Sequence, residues 1–328
     1  MKIPGFVDLQ VNGYQGTNFS APDLAEESCA RACRELLARG TAALLPTVIT
    51  SPVEVYRRNL PILAQVIARP EFAGRLLGIH VEGPFISAVP GAVGAHAPEW
   101  VRPPDPALLE KFQEWAQGRI KVLTLAAEVP GAEELARRAV RMGITVGLGH
   151  QMATEEDLAR LAAAGATLLT HLGNGAPAIL PRHPNPIWAG LANDSLAATL
   201  ITDGHHLPAS VIKVMLRAKG VSRVAVISDA SHVAGMPPGR YGRDGVEVVL
   251  EPSGRLHIPS KGCLAGSSAT LMECMNFLAS LDLLTPEELE AVGFLNPLRI
   301  IGLDPGAVQG VGQVEYDASR RQFMLKAR

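Results

Sequence analysis

The 328-residue chain is 47 % hydrophobic, 19 % charged and only 5 % aromatic, a balance that excludes intrinsic disorder and implies an interior of Ala, Val, Leu and Ile. Thirty Lys and Arg against 32 Asp and Glu leave a formal charge of −2, so no global basic field exists to hold a nucleic-acid backbone or an anionic membrane surface. No apolar run approaches the roughly 18 residues of a membrane helix, and the opening residues carry no hydrophobic signal region, so a cytoplasmic protein is expected. Cys29 and Cys33 lie one helical turn apart and Cys263 and Cys274 are distant; neither a zinc ribbon nor a disulfide framework has that spacing, which leaves reduced, mostly packed thiols.

Short apolar runs rich in β-branched residues alternate along the chain with longer segments of helical period. Strands are expected near Gly5–Val11, Thr41–Val48, Leu76–Glu82, Ile120–Glu128, Ile144–His150, Thr167–His171, Leu196–Asp203 and Val224–Asp229. Helical patterns over Ala25–Ala38, Val53–Ile67, Glu133–Met142, Glu155–Ala164 and Ala209–Ala218 fall between them. This alternation marks a parallel sheet with crossover helices, and eight units suggest a closed (β/α)8 barrel of TIM type, with an open doubly wound sheet as the alternative. Phe85–Pro106 is long for a loop between strand and helix and is a candidate active-site lid. Residues 242–260 alternate like a β-hairpin inserted after the eighth strand. The barrel is expected over residues 1–305, followed by a short C-terminal tail over 306–328.

Catalytic groups of such barrels come from the C-terminal ends of the strands. Five expected strands run into ionisable residues there: Glu82, His150, His171, the Asp203-Gly204-His205-His206 string and Asp229. One carboxylate and two imidazoles are what a catalytic zinc or similar divalent ion needs, with one position left open. Glu82, His150 and His171 are the candidate ligands, Asp229 the candidate general base for an activated water, and His206 the group that steadies an oxyanion or orients the substrate carbonyl. His80 lies two residues before Glu82, deeper in the strand, and reads as structural support. Glu128 ends the fourth strand and rivals Glu82 as the carboxylate ligand. A Glu-His-His set accepts zinc, iron, cobalt or manganese, with zinc foremost.

These strings resemble the N-acetylglucosamine-6-phosphate deacetylase family of the amidohydrolase superfamily. Pro4-Gly5-Phe6-Val7-Asp8-Leu9-Gln10-Val11-Asn12-Gly13 resembles its first strand, and His80-Val81-Glu82-Gly83-Pro84-Phe85 its metal-binding carboxylate motif. Gly149-His150 and Thr170-His171-Leu172-Gly173-Asn174 are similar to the two metal-histidine segments, Asp203-Gly204-His205-His206 to the substrate-histidine segment, and Ser228-Asp229-Ala230 to the catalytic-aspartate segment. Leu264-Ala265-Gly266-Ser267 resembles a signature near the end of the barrel. The resemblance implies metal-dependent hydrolysis of an acetamido sugar phosphate to acetate and the free amine, and it favours Glu82 over Glu128. Where most of the superfamily carries a His-x-His metal pair, this chain has Gln10 and Asn12, as in the single-metal branch. The resemblance further places the sugar phosphate against Asn174, Gly175 and Arg182, the arginine reaching a neighbouring subunit's site in dimeric relatives; His96, within the candidate lid, is a further substrate-side candidate.

A homodimer is therefore expected, with Ala176–Trp188 as a candidate contact surface. The family's small β domain, usually begun by about fifty residues ahead of the barrel, is expected to be missing or vestigial, with 306–328 as its remnant. Two departures fall on the substrate side: Pro181–Trp188 differs from the usual sequence, and Val93 stands where lysine is expected. Two rival readings are the same chemistry on another acetamido sugar or amide, and a non-catalytic sugar-phosphate binding protein. The second would be expected to have lost a ligand or the base, yet all four residues are present.

Overall fold

Eight parallel strands, each followed in sequence by a helix, pair in strict chain order. The computed structural model describes residues 1–243, 245–309 and 314–325. The strands are β1 (Phe6–Val11), β2 (Thr41–Ile49), β3 (Ile79–Glu82), β4 (Ile120–Leu125), β5 (Thr145–Leu148), β6 (Leu168–Leu169), β7 (Ala197–Ile201) and β8 (Val224–Ile227). The helices are α1 (Glu26–Leu37), α2 (Val53–Ala68), α3 (Pro106–Trp115), α4 (Ala132–Arg141), α5 (Glu155–Ala163), α6 (Pro186–Ala192), α7 (Ala209–Lys219) and α8 (Leu271–Ser280). Residue Val11 bridges Ala230 in parallel and the Asn12 N–H donates to the Ala230 carbonyl at 2.8 Å, which draws β8 to β1 and closes the expected (β/α)8 barrel.

All nine residues of β2 are buried, as a strand covered on both faces requires. Alternate residues divide the core with the two-residue period of a strand. Val81, Leu123, Val146 and Val226 belong to the cluster packed under the helices, while Val122, Leu168, Ile201 and Ile227 join Val7, Leu9 and Leu45 in a second cluster that fills the lumen, with Phe294 and Leu298. Above that apolar floor lies a polar layer. The His80 ring donates to the Leu9 carbonyl from Nδ1 (3.0 Å) and contacts Thr124 Oγ1 through Nε2 (2.8 Å); Thr124 in turn meets Thr170 Oγ1 at 2.8 Å. Burial pushes His80 down to about 4, so it is a neutral strut beneath the site.

Several helix starts follow from local chemistry. Thr154 with Asp157 and Thr270 with Glu273 form reciprocal capping boxes on α5 and α8. The Asn185 side chain accepts from the N–H groups of Ile187 and Trp188, and Pro186 occupies the first turn, so α6 begins inside the candidate contact surface Ala176–Trp188.

The insertion is larger than the single hairpin expected over 242–260. Strands β9 (Gly239–Arg243), β10 (Val246–Leu250), β11 (Leu256–Ile258) and β12 (Cys263–Leu264) make a four-stranded antiparallel sheet with its own apolar cluster, because Val248, Leu250, Leu256 and Ile258 share one face with Val233 and Ala265. Within 306–328, β13 (Val314–Asp317) and β14 (Gln322–Leu325) form a hairpin whose first strand pairs with Lys2 and Ile3, while Phe323 packs edge-on to Phe6 at 5.0 Å.

A carboxylate sits at the barrel seam. Asp8 Oδ1 accepts from the backbone N–H groups of Ser228 (3.1 Å) and Gln10 (3.3 Å), and burial pushes its pKa up to about 7. Between its ordinary value of 3.8 and about 7 the folded state holds a proton that the unfolded chain has released. The stability contribution is therefore complete below pH 4 and lost as pH rises to 7, by on the order of 4 kcal/mol. Asp8→Asn keeps an acceptor at Oδ1 and cannot ionise. Its unfolding temperature will exceed that of the parent protein at pH 8 and converge with it near pH 4; equal values at pH 8 would contradict the burial argument.

Candidate active site

At the C-terminal mouth of the barrel residues from the ends of β1, β2, β3, β5, β6, β7 and β8 meet around a cavity of about 200 Å³. Glu82 is the last residue of β3, but His150, His171 and Asp229 lie beyond the last paired residues of β5, β6 and β8. The expected strands therefore run two residues too long there. These three residues turn out of the ladder in the left-handed region, at φ of 50°, 34° and 49°. For residues with a Cβ that conformation costs about 1–3 kcal/mol each, and it recurs where surrounding structure holds a functional group in place.

The expected ligand atoms converge. Glu82 Oε1 lies 3.2 Å from His150 Nε2 and 2.8 Å from His171 Nε2, and the two Nε2 atoms are 3.1 Å apart. All three residues are buried. Burial works against the Glu82 charge, yet its contacts with His150 and His171 hold its carboxyl well below the usual range, so it is ionised as a ligand must be. His150 Nδ1 donates to the Ala92 carbonyl at 2.9 Å, which turns Nε2 towards the centre. One anionic oxygen and two imidazole nitrogens, focused on one point with no room for a proton between every pair, fit a divalent cation. Glu128 is not part of this cluster: its Oε1 accepts from the Met152 N–H at 2.7 Å, in the segment between β5 and α5.

Asp229 faces the cluster. Its Oδ1 accepts from Asn12 Nδ2 (2.7 Å) and Gln10 Nε2 (3.1 Å), and the same Gln10 amide donates to Glu82 Oε1 at 2.9 Å. Residues Gln10 and Asn12 thus present N–H groups to two carboxylates rather than lone pairs to an ion. Burial and the nearby Glu82 charge push Asp229 above the ordinary carboxylate value, towards the range of a working general base.

Of the expected substrate-side residues, His96, Asn174, Gly175 and His206 line the cavity. His96 comes from the Phe85–Pro106 segment, which forms one wall through Gly91, Gly94 and Ala95 as well; its Nε2 is 3.8 Å from Glu82 Oε2. Gly175 adopts φ +61°, and a Cβ there would lie 2.9 Å from His150 Nδ1, so only glycine fits beside the ligand. Arg182 stands apart, exposed on the loop before α6 and absent from the cavity wall of its own chain.

Residues from two segments singled out in the sequence, themselves given no role in the site, contribute to it. Cys263, Leu264 and Gly266, from the end of the inserted sheet, close the far side of the cavity. Asp203 binds His206 Nδ1 through Oδ2 at 2.8 Å, with both side chains almost fully buried. Its signal was the Asp-x-x-His spacing, in which a carboxylate folds back on the imidazole three residues on.

The amidohydrolase family model matches residues 1–309. An N-acetylgalactosamine-6-phosphate deacetylase of Escherichia coli O157:H7 is 33 % identical over 92 % of this chain and 78 % of its own length. An N-acetylglucosamine-6-phosphate deacetylase of Bacillus subtilis is 34 % identical over 83 % of this chain and 68 % of its own. The solved structure of N-acetyl-D-glucosamine-6-phosphate deacetylase from Mycobacterium smegmatis, in complex with N-acetyl-D-glucosamine-6-phosphate, is 28 % identical and superposes with a TM-score of 0.87, covering 98 % of this chain and 84 % of that one. With a barrel of this topology, a Glu-His-His cluster at its mouth and a family match over nearly all of its length, the chain belongs to the amidohydrolase family.

Proposed function

We propose that this protein is a single-metal deacetylase acting on N-acetylglucosamine 6-phosphate, releasing acetate and glucosamine 6-phosphate. The observation that carries the reading is the convergence of Glu82, His150 and His171 beside Asp229 in one cavity, in a chain whose relatives carry that activity in their names. Glu82, His150 and His171 would hold the divalent ion, zinc foremost, with iron, cobalt or manganese accepted by the same donors. When bound, the ion supplies Lewis acidity towards the amide carbonyl and lowers the pKa of water.

Asp229 takes a proton from the attacking water as the new C–O bond forms, then returns it to the sugar nitrogen as the C–N bond breaks. His206 orients the substrate from the β7 side, and His96 closes the site from the wall opposite. The amide-donating roles of Gln10 and Asn12 support one ion rather than two. Backbone N–H groups near Asn174 and Gly175 are the phosphate contacts in this reading. Arg182 serves a second subunit: it is exposed, and Ile179 and Trp188 beside it are 90 % and 50 % exposed, an apolar surface suited to a homodimer.

Acetate release from a substrate panel tests the reading. N-acetylglucosamine 6-phosphate is expected to exceed the unphosphorylated sugar in kcat/KM by ~10-fold or more, the worth of a charge-assisted phosphate contact. A preference for the galacto epimer, to which the Escherichia coli relative's name points, would move the sugar assignment. A preference for the unphosphorylated sugar would remove the phosphate.

A further inference from the structure

The Asp203–His206 pair decides which face of His206 meets the substrate. Asp203 follows β7 by two residues, and its Oδ1 accepts from the backbone N–H groups of His205 and His206, both at 2.9 Å. This turn, made through Gly204 at φ +82°, brings the imidazole back over the carboxylate, where Nδ1 meets Oδ2 at 2.8 Å. The side chains are 3 % and 5 % exposed, so neither has a competing partner in water. An ionised carboxylate only accepts hydrogen bonds; the proton of a neutral imidazole therefore sits on Nδ1, and the lone pair on Nε2. Burial opposes the Asp203 charge, but the bonds from His206 and from the two backbone N–H groups outweigh it and hold the carboxyl below its usual value.

We infer that Asp203 is a positioning residue: it locks His206 in the Nδ1–H form and in one ring orientation, so that Nε2 is offered to an O–H or N–H of the substrate as an acceptor. This rests on the reading of His206 as a substrate-orienting residue, and it narrows that role. In that tautomer Nε2 cannot donate to a developing oxyanion; it takes a hydrogen bond from a donor group on the ligand instead.

Asp203→Asn separates the positioning role from a structural one. The amide keeps an oxygen for the two backbone N–H groups, so the turn survives, but it sets an NH2 against Nδ1 and drives the imidazole proton to Nε2. In the zinc-loaded protein, ¹⁵N NMR of the His206 ring will report Nδ1–H in the parent and Nε2–H in the variant, with zinc content unchanged. On N-acetylglucosamine 6-phosphate, kcat/KM will fall ~10²-fold, in the direction of the large losses that follow tautomer reversal in catalytic triads. In a His206→Ala background the same substitution will cost nothing further, because the two residues act as a unit. An Nδ1–H signal retained in Asp203→Asn, or an equal loss of kcat/KM in the His206→Ala background, overturns the proposal. The NMR measurement needs no turnover, so an inactive protein would refute the substrate reading while still testing Asp203.

Discussion

His150→Ala and His171→Ala will each lose bound metal and activity together. Among the described residues each imidazole is one of the three candidate ligands that converge on the site, and the alanine leaves that set a carboxylate and a single nitrogen, too few donors to retain an ion against solvent. Turnover is expected to drop by at least ~10³-fold, because both the polarised carbonyl and the activated water depend on the ion. Metal analysis of the purified variants checks this, and one full equivalent retained in both would refute the ligand set. The carboxylates make an internal comparison. Glu82→Gln will lose metal, whereas Glu128→Gln, whose oxygen accepts from the Met152 N–H away from the cluster, will keep it. The reverse ranking would move the carboxylate ligand to β4.

Asp229→Asn is expected to separate binding from chemistry. The asparagine oxygen still accepts from Asn12 and Gln10, at positions now 2.7 and 3.1 Å from Oδ1, so the side chain stays in place and the ligands are untouched. Metal and substrate will bind while kcat falls by at least ~10²-fold, the typical worth of a positioned general base. A variant with near-parental kcat would end the mechanism. The parent enzyme will also lose activity on the acid side. Asp229 has a raised folded pKa, so it keeps its proton to higher pH than a solvent carboxylate does, and the base is consumed as pH falls through that value. Metal content must be followed in parallel, since imidazole ligands bind an ion only when deprotonated.

The amino-acid sequence by itself determined the architecture and most of the chemistry. Runs such as Thr41–Ile49, buried on both faces, mark strands covered on both sides, and eight of them in alternation with helical segments suggest a barrel; its closure against the open-sheet alternative is decided by the Val11–Ala230 bridge. The candidate ligands were legible because they stand at the ends of such runs, where the local pattern changes from apolar to ionisable. Tertiary structure decided what depends on pairs distant in the chain. Glu82 rather than Glu128 meets the histidines because β3 aims its last residue into the mouth, while the end of β4 turns its carboxylate to a backbone N–H on α5's side. Gln10 bridges Glu82 and Asp229, 72 and 219 positions away, through one amide group. The left-handed turns at His150, His171 and Asp229 shorten the strands without leaving any trace in composition, because they are imposed by packing around the mouth and opposed by local preference. Arg182 lies outside its own chain's cavity for a related reason: a loop residue's reach is set by the surface it packs against, and that surface is a property of the assembled fold, not of the residues on either side of it.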